Sequence, residues 1–158
     1  MTHLIVAIDR KGAIGRGGDQ LYYIKEDLRH FKALTMGNTI IMGRKTFEAL
    51  PKGALPGRKN IVVTRNQSYS APGAETAHSI AEAVAMASSE AFIIGGAEIY
   101  RQGLPLADIL HITVVDDETS DADTFFPPIP FDSFRVTAVS SAETVPPVKF
   151  YTLKRFLN

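Results

Sequence analysis

"AFIIGGAEIYRQG" (residues 91–103) changes character in the middle. "AFIIGG" (91–96) reads as a short buried strand, and "AEIYRQG" (97–103) as a helix closed by Gly103. A strand that runs straight into a helix is one βα unit, and similar units occur on both sides of it. "HLIVAI" (3–8) is a β-branched run without helical period, followed by a loop carrying Gly12, Gly15, Gly17 and Gly18. "NTIIMG" (38–43) reads as a buried strand running into a short helix at 44–50, and "KNIVVT" (59–64) as another strand. "SIAEAVAMAS" (79–88) reads as a helix with a capping box, Ser79 at the N-cap and Glu82 at N3. "DILHITVV" (108–115) is a further strand. "FRVTAVS" (134–140) and "KFYTLKRF" (149–156) alternate in period two, as antiparallel edge strands do. The pattern predicts an α/β fold with a mostly parallel sheet covered on both faces. Ligands of such sheets bind beyond the carboxyl ends of the strands, so the informative residues should follow strands.

The chain has 158 residues, which suits one domain over 1–158. Lys plus Arg equals Asp plus Glu at 17 each, a balance that disfavours nucleic acid or an anionic membrane as partner. Without cysteine there is no disulfide framework, thiol nucleophile or thiolate metal site, which fits a reducing compartment. "MTHLIVAIDRKG" lacks the form of a signal peptide. No apolar run approaches the roughly 20 residues of a membrane span. A soluble, cytoplasmic protein is expected. No repeat, low-complexity segment or linker appears, and "FFPPIPFD" (125–132) reads as a loop before the last strands.

"LYYIKEDLRHFK" (21–32) opens a helix expected over about 25–35. At helical spacing Ile24, Leu28, Phe31 and Leu34 fall in one core-facing sector. Lys25, Glu26, Arg29, His30 and Lys32 fall opposite, and His30 is expected in solvent. Asp27 lies on the apolar side, between Phe31 and Leu34. Three readings stay open for it: an acid serving the first helical turn, an acid simply exposed because the helix starts later, or an acid serving a site.

Two nucleotide motifs fail. "GAIGRGGDQ" has Gln20 where the third glycine of GxGxxG belongs. "GNTIIMGRKT" has the wrong glycine spacing for a P-loop. Gly43-Arg44-Lys45-Thr46 nevertheless follows a strand and opens a helix, so it is either a solvated basic turn or a phosphate site. Thr64-Arg65 follows the next strand, and the two sets together suit a phosphomonoester such as a cofactor 2′-phosphate. Gly95-Gly96 is either a tight turn or a place where a pyrophosphate meets the backbone. His3, His30, His78 and His111 have no metal-ligand spacing, and no metal is expected.

The set "LIVAIDRKGAIG", "DLRHFK", "TIIMGRKTFEALP", "LPGRKNIVVTR", "FIIGGAEIY" and "HITVV…DTFFP", in this order along nearly the whole chain, resembles the dihydrofolate reductase family of bacterial type. The resemblance implies a central eight-stranded, mostly parallel sheet with an antiparallel C-terminal edge and about four helices. It implies NADPH-dependent reduction of 7,8-dihydrofolate in one-carbon metabolism, a monomer, and inhibition by diaminopyrimidine and pteridine antifolates. It makes Asp27 the acid of the pterin pocket, with Thr113 its hydrogen-bond partner. Leu28 and Phe31 would contact the substrate's rings, surrounded by Ile5, Ala7, Lys32, Leu50, Leu55 and Ile94. Arg58 would pair with the glutamate tail.

On the cofactor side, the resemblance gives the 2′-phosphate to Arg44, Thr64 and Arg65. Lys45, Thr46 and the helix start at Gly96, Ala97 and Glu98 would hold the pyrophosphate. Ala7, Ile14 and Tyr100 would flank the nicotinamide, and Gly15, Gly43, Val63, Ile94, Gly95, Ile99 and Gln102 complete that side. It also implies a cis Gly95–Gly96 bond. The chain departs from the family where Gln20-Leu21-Tyr22 replaces a frequent Met-Pro-Trp and Ile24-Lys25 replaces Leu-Pro. Tyr22 then stands where a Trp often orders water near the acid, and its hydroxyl is the expected substitute. Two other functions compete: the related pyrimidine reductase of riboflavin synthesis, and a catalytically silent folate- or nucleotide-binding module.

Overall fold

The computed structural model describes residues 1–157. In chain order the first elements are β1 (Thr2–Ile8), β2 (Ala13–Arg16), β3 (Asp19–Gln20), α1 (Lys25–Thr35), β4 (Thr39–Gly43) and α2 (Arg44–Glu48). Next come β5 (Lys59–Val63), β6 (Glu75–Ala77), α3 (Ile80–Met86), β7 (Ala91–Gly95) and α4 (Ala97–Gly103). A 3₁₀ turn (Leu104–Leu106), β8 (Ile109–Val115), β9 (Thr124–Phe125), β10 (Phe134–Ala142) and β11 (Val148–Arg155) complete the chain.

The main sheet has eight strands in the order β10-β11-β8-β1-β7-β4-β5-β6. From β8 to β6 all neighbours are parallel. The expected antiparallel edge is β11, which runs against both β8 and β10. β10 therefore points the same way as the other six. Alternate side chains of a strand serve opposite faces. Along β1, Leu4, Val6 and Ile8 enter a core that α3 and α4 cover through Ile80, Ala83, Ile99 and Leu104. Ile5 enters a second core with Ile40, Met42, Phe47, Val62 and Phe92.

Several details differ from the sequence expectations. The glycine-rich loop after β1 folds into a hairpin, because Gly17 and Gly18 both take positive φ (59° and 84°) between the paired Arg16 and Asp19. β9 adds to this hairpin as a third strand. β6 and β9, three and two residues long, are too short to show a period. In the capping box of α3, Ser79 accepts from the Glu82 amide at 3.0 Å, but Glu82 reaches the amide of His78, not Ser79. α4 ends at Gly103 as expected, but the chain does not turn away there and tightens directly into the 3₁₀ turn.

The largest correction concerns α1. Its apolar stripe is not buried as a core face: Phe31 and Leu34 pack against the second core, while Leu28 remains 46% exposed. Its one fully enclosed residue is Thr35. The helix thus meets the sheet at two places: Phe31 and Leu34 pack on the second core, and Asp27 in its first turn reaches Thr113 of β8.

Candidate active site

Asp27 stands in the first turn of α1, but it does not cap it. The N-cap position is Ile24, and no side chain there bonds the helix amides. The Asp27 carboxylate instead accepts the Thr113 hydroxyl at 2.7 Å, across 86 residues of sequence. Thr113 is buried in β8 and lies opposite Ala7 of β1. Burial raises the Asp27 pKa above the usual carboxylate range, and Thr113 and the nearby His30 pull it back only in part. An acid that is both desolvated and held by a fixed donor is unusual, since solvation normally dictates where carboxylates sit.

The wall on one side of Asp27 is apolar. Ile5, Phe31, Leu50, Leu55 and Ile94, from four separate segments, join the second core. Arg58 closes this wall. Its Nε donates to the Pro56 carbonyl at 3.0 Å and its Nη1 to Thr35 Oγ1 at 3.2 Å. Thr35 in turn donates to the Phe31 carbonyl at 2.8 Å, which ties the guanidinium to α1. Lys32 is exposed on the same helix.

The other side is assembled from neighbouring strand ends. β7, β4 and β5 are consecutive in the sheet, so Gly95-Gly96, Gly43-Arg44-Lys45-Thr46 and Thr64-Arg65 emerge side by side. α2 and α4 both start on glycine N-caps without a side-chain cap. A Cβ on Gly43 would sit 3.0 Å from Ile99 and one on Gly96 3.5 Å from Thr46 Oγ1, so the two helix starts meet at close quarters. Arg44 lies over the Tyr69 ring at 4.6 Å, with its Nε on Glu48 at 2.9 Å. Arg65 and Lys45 are exposed; Thr64 is buried and Val63 half-buried. Amides, hydroxyls and cations grouped at strand ends suit the phosphates of a dinucleotide.

Between the two sides, the Gly95–Gly96 bond is cis. A Cβ on Gly95 would lie 3.2 Å from the Tyr100 ring. The buried Tyr100 hydroxyl shares its proton between the carbonyls of Ile5 (2.9 Å) and Ile94 (2.8 Å). Burial holds it protonated far above the usual phenol range. Ala7 is the one residue of β1 that is not fully buried, and Ile14 packs half-buried beside the first core. Ala97 and Ile99 lie in the first turn of α4. Glu98 and Gln102 are exposed on α4 and bond each other at 3.1 Å; their side chains are directed along the helix.

Tyr22 is not placed as expected. Its hydroxyl donates to Asp117 Oδ2 at 2.9 Å and lies 3.0 Å from Thr119 Oγ1, so its proton is committed away from Asp27. Burial and the Asp117 carboxylate raise its pKa, which keeps that proton in place. The same turn holds Asp9, which sequence reasoning passed over. Asp9 is buried and accepts amides of Lys11 (2.8 Å), Ala13 (2.9 Å) and Thr119 (2.9 Å). Both ends of the segment from Asp9 to Tyr22 are thus fastened to residues 117–119. Gly15 is held within it, its carbonyl accepting the Asp123 amide at 3.1 Å. An acid directly after a buried strand and before "RKG", the pattern of an Asx turn, was the available signal for Asp9.

An α/β sheet with a desolvated acid on one side of its strand ends and a phosphate-suited rim on the other suits an enzyme that takes a nucleotide-bearing ligand. Known proteins make this specific. The family model for dihydrofolate reductase matches residues 1–155. The chain is 49% identical over 128 residues to a dihydrofolate reductase of Neisseria meningitidis, covering 80% of this chain and 78% of that one. It is 43% identical over 129 residues to the type 3 enzyme of Salmonella typhimurium, with the same coverage of 80% and 78%. A dihydrofolate reductase of Enterococcus faecalis, solved with NADP(H) and RAB-propyl, superposes with a TM-score of 0.90 at 32% identity, over 98% of this chain and 96% of that one. The chain belongs to the dihydrofolate reductase family. Among the described residues, no helix is long and apolar enough to cross a membrane, and no group of metal-ligating side chains converges.

Proposed function

We propose that this protein reduces 7,8-dihydrofolate to tetrahydrofolate with NADPH, as a single chain in the cytoplasm, feeding one-carbon metabolism. The observation that carries the reading is the half-buried Asp27 carboxylate fixed by Thr113 at 2.7 Å. NADPH, when bound, supplies a hydride to the pterin C6.

The chain's own residues do the rest. Asp27 accepts the pterin 2-amino group and N3, which orients the ring and favours its protonated form. Its raised pKa brings it toward the pH at which such groups work as acids. Thr113 holds that carboxylate in place, so no reorganisation is needed as charge develops. The apolar wall of Ile5, Leu28, Phe31, Leu50, Leu55 and Ile94 takes the rings, with Lys32 at its exposed margin, and Arg58 takes the tail carboxylate. Arg44, Thr64 and Arg65 hold the 2′-phosphate. Lys45, Thr46 and the amides of Gly96, Ala97 and Glu98 hold the pyrophosphate, with Gly43, Val63, Ile99 and Gln102 around them. Ala7, Ile14, Gly15, Gly95 and Tyr100 flank the nicotinamide. The segment from Asp9 to Tyr22, anchored at both ends, excludes water over the reacting rings; in this role Tyr22 is a fastener of the loop.

Following the near-ultraviolet absorbance of NADPH with and without dihydrofolate tests the reading. Oxidation that requires dihydrofolate is expected; none with dihydrofolate, or oxidation only with a ribosylaminopyrimidine, overturns it. Diaminopyrimidine antifolates should bind through two N–H donors to Asp27. Asp27→Asn should weaken them, and inhibition that ignores this change contradicts the pose.

A further inference from the structure

Three histidines converge behind Asp27. His111 precedes Thr113 by two residues on β8 and so shares its face of the sheet. His3 of β1 meets it: His3 Nδ1 and His111 Nε2 are 2.9 Å apart, one ring donating to the other, and both rings are buried. The His3 ring also stacks on Phe92 at 4.3 Å. His30 approaches from α1, one turn after Asp27, where side chains three apart are neighbours. It is half-buried, not in solvent as its helical position suggested, because its ring lies on Phe150 at 4.4 Å. Phe150 is the β11 partner of Thr113. Asp27, Thr113, Phe150 and His30 therefore form one contiguous group.

The three rings answer to different charges. His3 faces Glu90, whose Oε1 is 3.6 Å from His3 Nε2, at the end of the row away from Asp27. Glu90 also carries the Met1 amino group at 2.6 Å, and Asp108 lies near by. Among the described residues the charges His111 feels are those of the other two rings, and burial followed by those charges pushes its pKa down to about 4. It stays neutral while the acid works. His30 faces Asp27 on its own helix and His111 across from the sheet; burial lowers its pKa below the ordinary histidine value, and the Asp27 carboxylate opposes this only in part. It is the ring whose charge the acid feels and whose charged form the acid supports.

We propose that His30 is a positioning residue for the reaction: it sets the protonation of Asp27, and the two groups titrate as a coupled pair. The inference rests on Asp27 being the acid of dihydrofolate reduction. An imidazolium at position 30 favours the carboxylate, so Asp27 gives up its proton at lower pH than it would alone, and His30 keeps its proton to higher pH. The protons leave in two steps that belong to the pair. The apolar surroundings and the imidazole oppose each other, which keeps the acid from being locked in its neutral form.

The test uses the full-length protein, His30→Gln and His30→Lys. Both replacements are good helix formers at a half-buried position, so the fold is retained. The ¹³C carboxyl signal of Asp27, followed against pH without ligands, should show two steps in the wild type. His30→Gln should show one step, at higher pH, and His30→Lys one step at or below the wild-type midpoint. Single-turnover hydride transfer should follow the same order, its fast plateau reaching highest pH in His30→Gln. A Gln midpoint at or below the wild type, or a Lys midpoint above it, overturns the inference. If the wild type fails to reduce dihydrofolate, the proposed function falls, while the carboxyl titration still decides the coupling.

Discussion

Asp27 and Arg44 are the charged centres of two regions built in opposite ways. Asp27 is desolvated, fixed by one short bond from a buried strand, and backed by aromatic rings. Arg44 is exposed, lies over Tyr69 and is paired with an equally exposed Glu48 on its own short helix. Burial makes the acid's ionisation depend on its surroundings, so a small change there alters the chemistry. Exposure makes the arginine's charge certain but weakly felt, because water and salt screen it. The first region is suited to altering a rate, the second to recognising an anion. Substitutions in the two regions should therefore differ in kind as well as in size.

The largest effect is expected at the acid. Asp27→Asn keeps the shape and should slow hydride transfer at neutral pH by about 10²–10⁴, the usual contribution of a positioned acid–base group. NADPH binding should survive. The same change should stabilise the fold: the folded pKa of Asp27 is raised above its unfolded value, so the ionised group opposes folding once the pH exceeds the unfolded value. Urea unfolding at neutral pH checks this, and a variant less stable than the wild type would contradict the raised pKa.

At the phosphate rim, replacing Arg44 and Arg65 together by neutral residues should weaken NADPH by roughly 2–4 kcal/mol through two charge-assisted contacts. NADH should be nearly unaffected. Equal losses for the two nucleotides would show that the pair does not read the 2′-phosphate. Arg58 lies between the two regimes, partly desolvated and tied to α1 through Thr35. Arg58→Ala should cost dihydrofolate about 1.5–3 kcal/mol, as for a hydrogen bond to a charged group. It should leave a pterin without glutamate almost unchanged, and titration of both ligands separates the outcomes.

The last effect is in stability against pH and touches neither rate nor affinity. Burial holds His111 down to about 4 and His3 below its usual value. The unfolded chain binds those protons near pH 6.5, the ordinary histidine value. It therefore carries more protons than the folded chain between about pH 6.5 and 4, and stability falls as pH drops through that window. Replacing both rings with Phe removes the hydrogen-bonded pair together and should flatten this fall. Urea midpoints at the two ends of the window measure it, and an unchanged slope would contradict the buried neutral pair.

The βα repeat could be read because each buried strand is a continuous apolar run, closed by glycine in β4 and β7. Asp27 could be noticed because a helix has a period and an acid in its apolar sector breaks it. The strand ends carrying Gly43, Thr64 and Gly95 follow from the same rule. The short strands β6 and β9 escaped because a period needs length. The partners of Tyr22 lie 95 and 97 residues away, and those of Asp9 come from both a local turn and Thr119. Helical position alone puts His30 in solvent, and Phe150, from the last strand, covers it. Contacts made by tertiary closure leave no local mark, and they are the ones that tune the site.

In the proposed function the half-buried carboxylate of Asp27 governs hydride transfer. Single-turnover transfer from NADPH to dihydrofolate, followed from about pH 5 to 9 in the wild type and in Asp27→Asn, tests it most directly. The wild-type rate should fall as the pH rises through the deprotonation of the acid. The variant should be slow at neutral pH, lose that inflection, and close the gap only in acid, where solvent protonates the pterin unaided. A variant with the wild-type rate and the wild-type inflection would contradict the account and reduce Asp27 to a structural partner of Thr113.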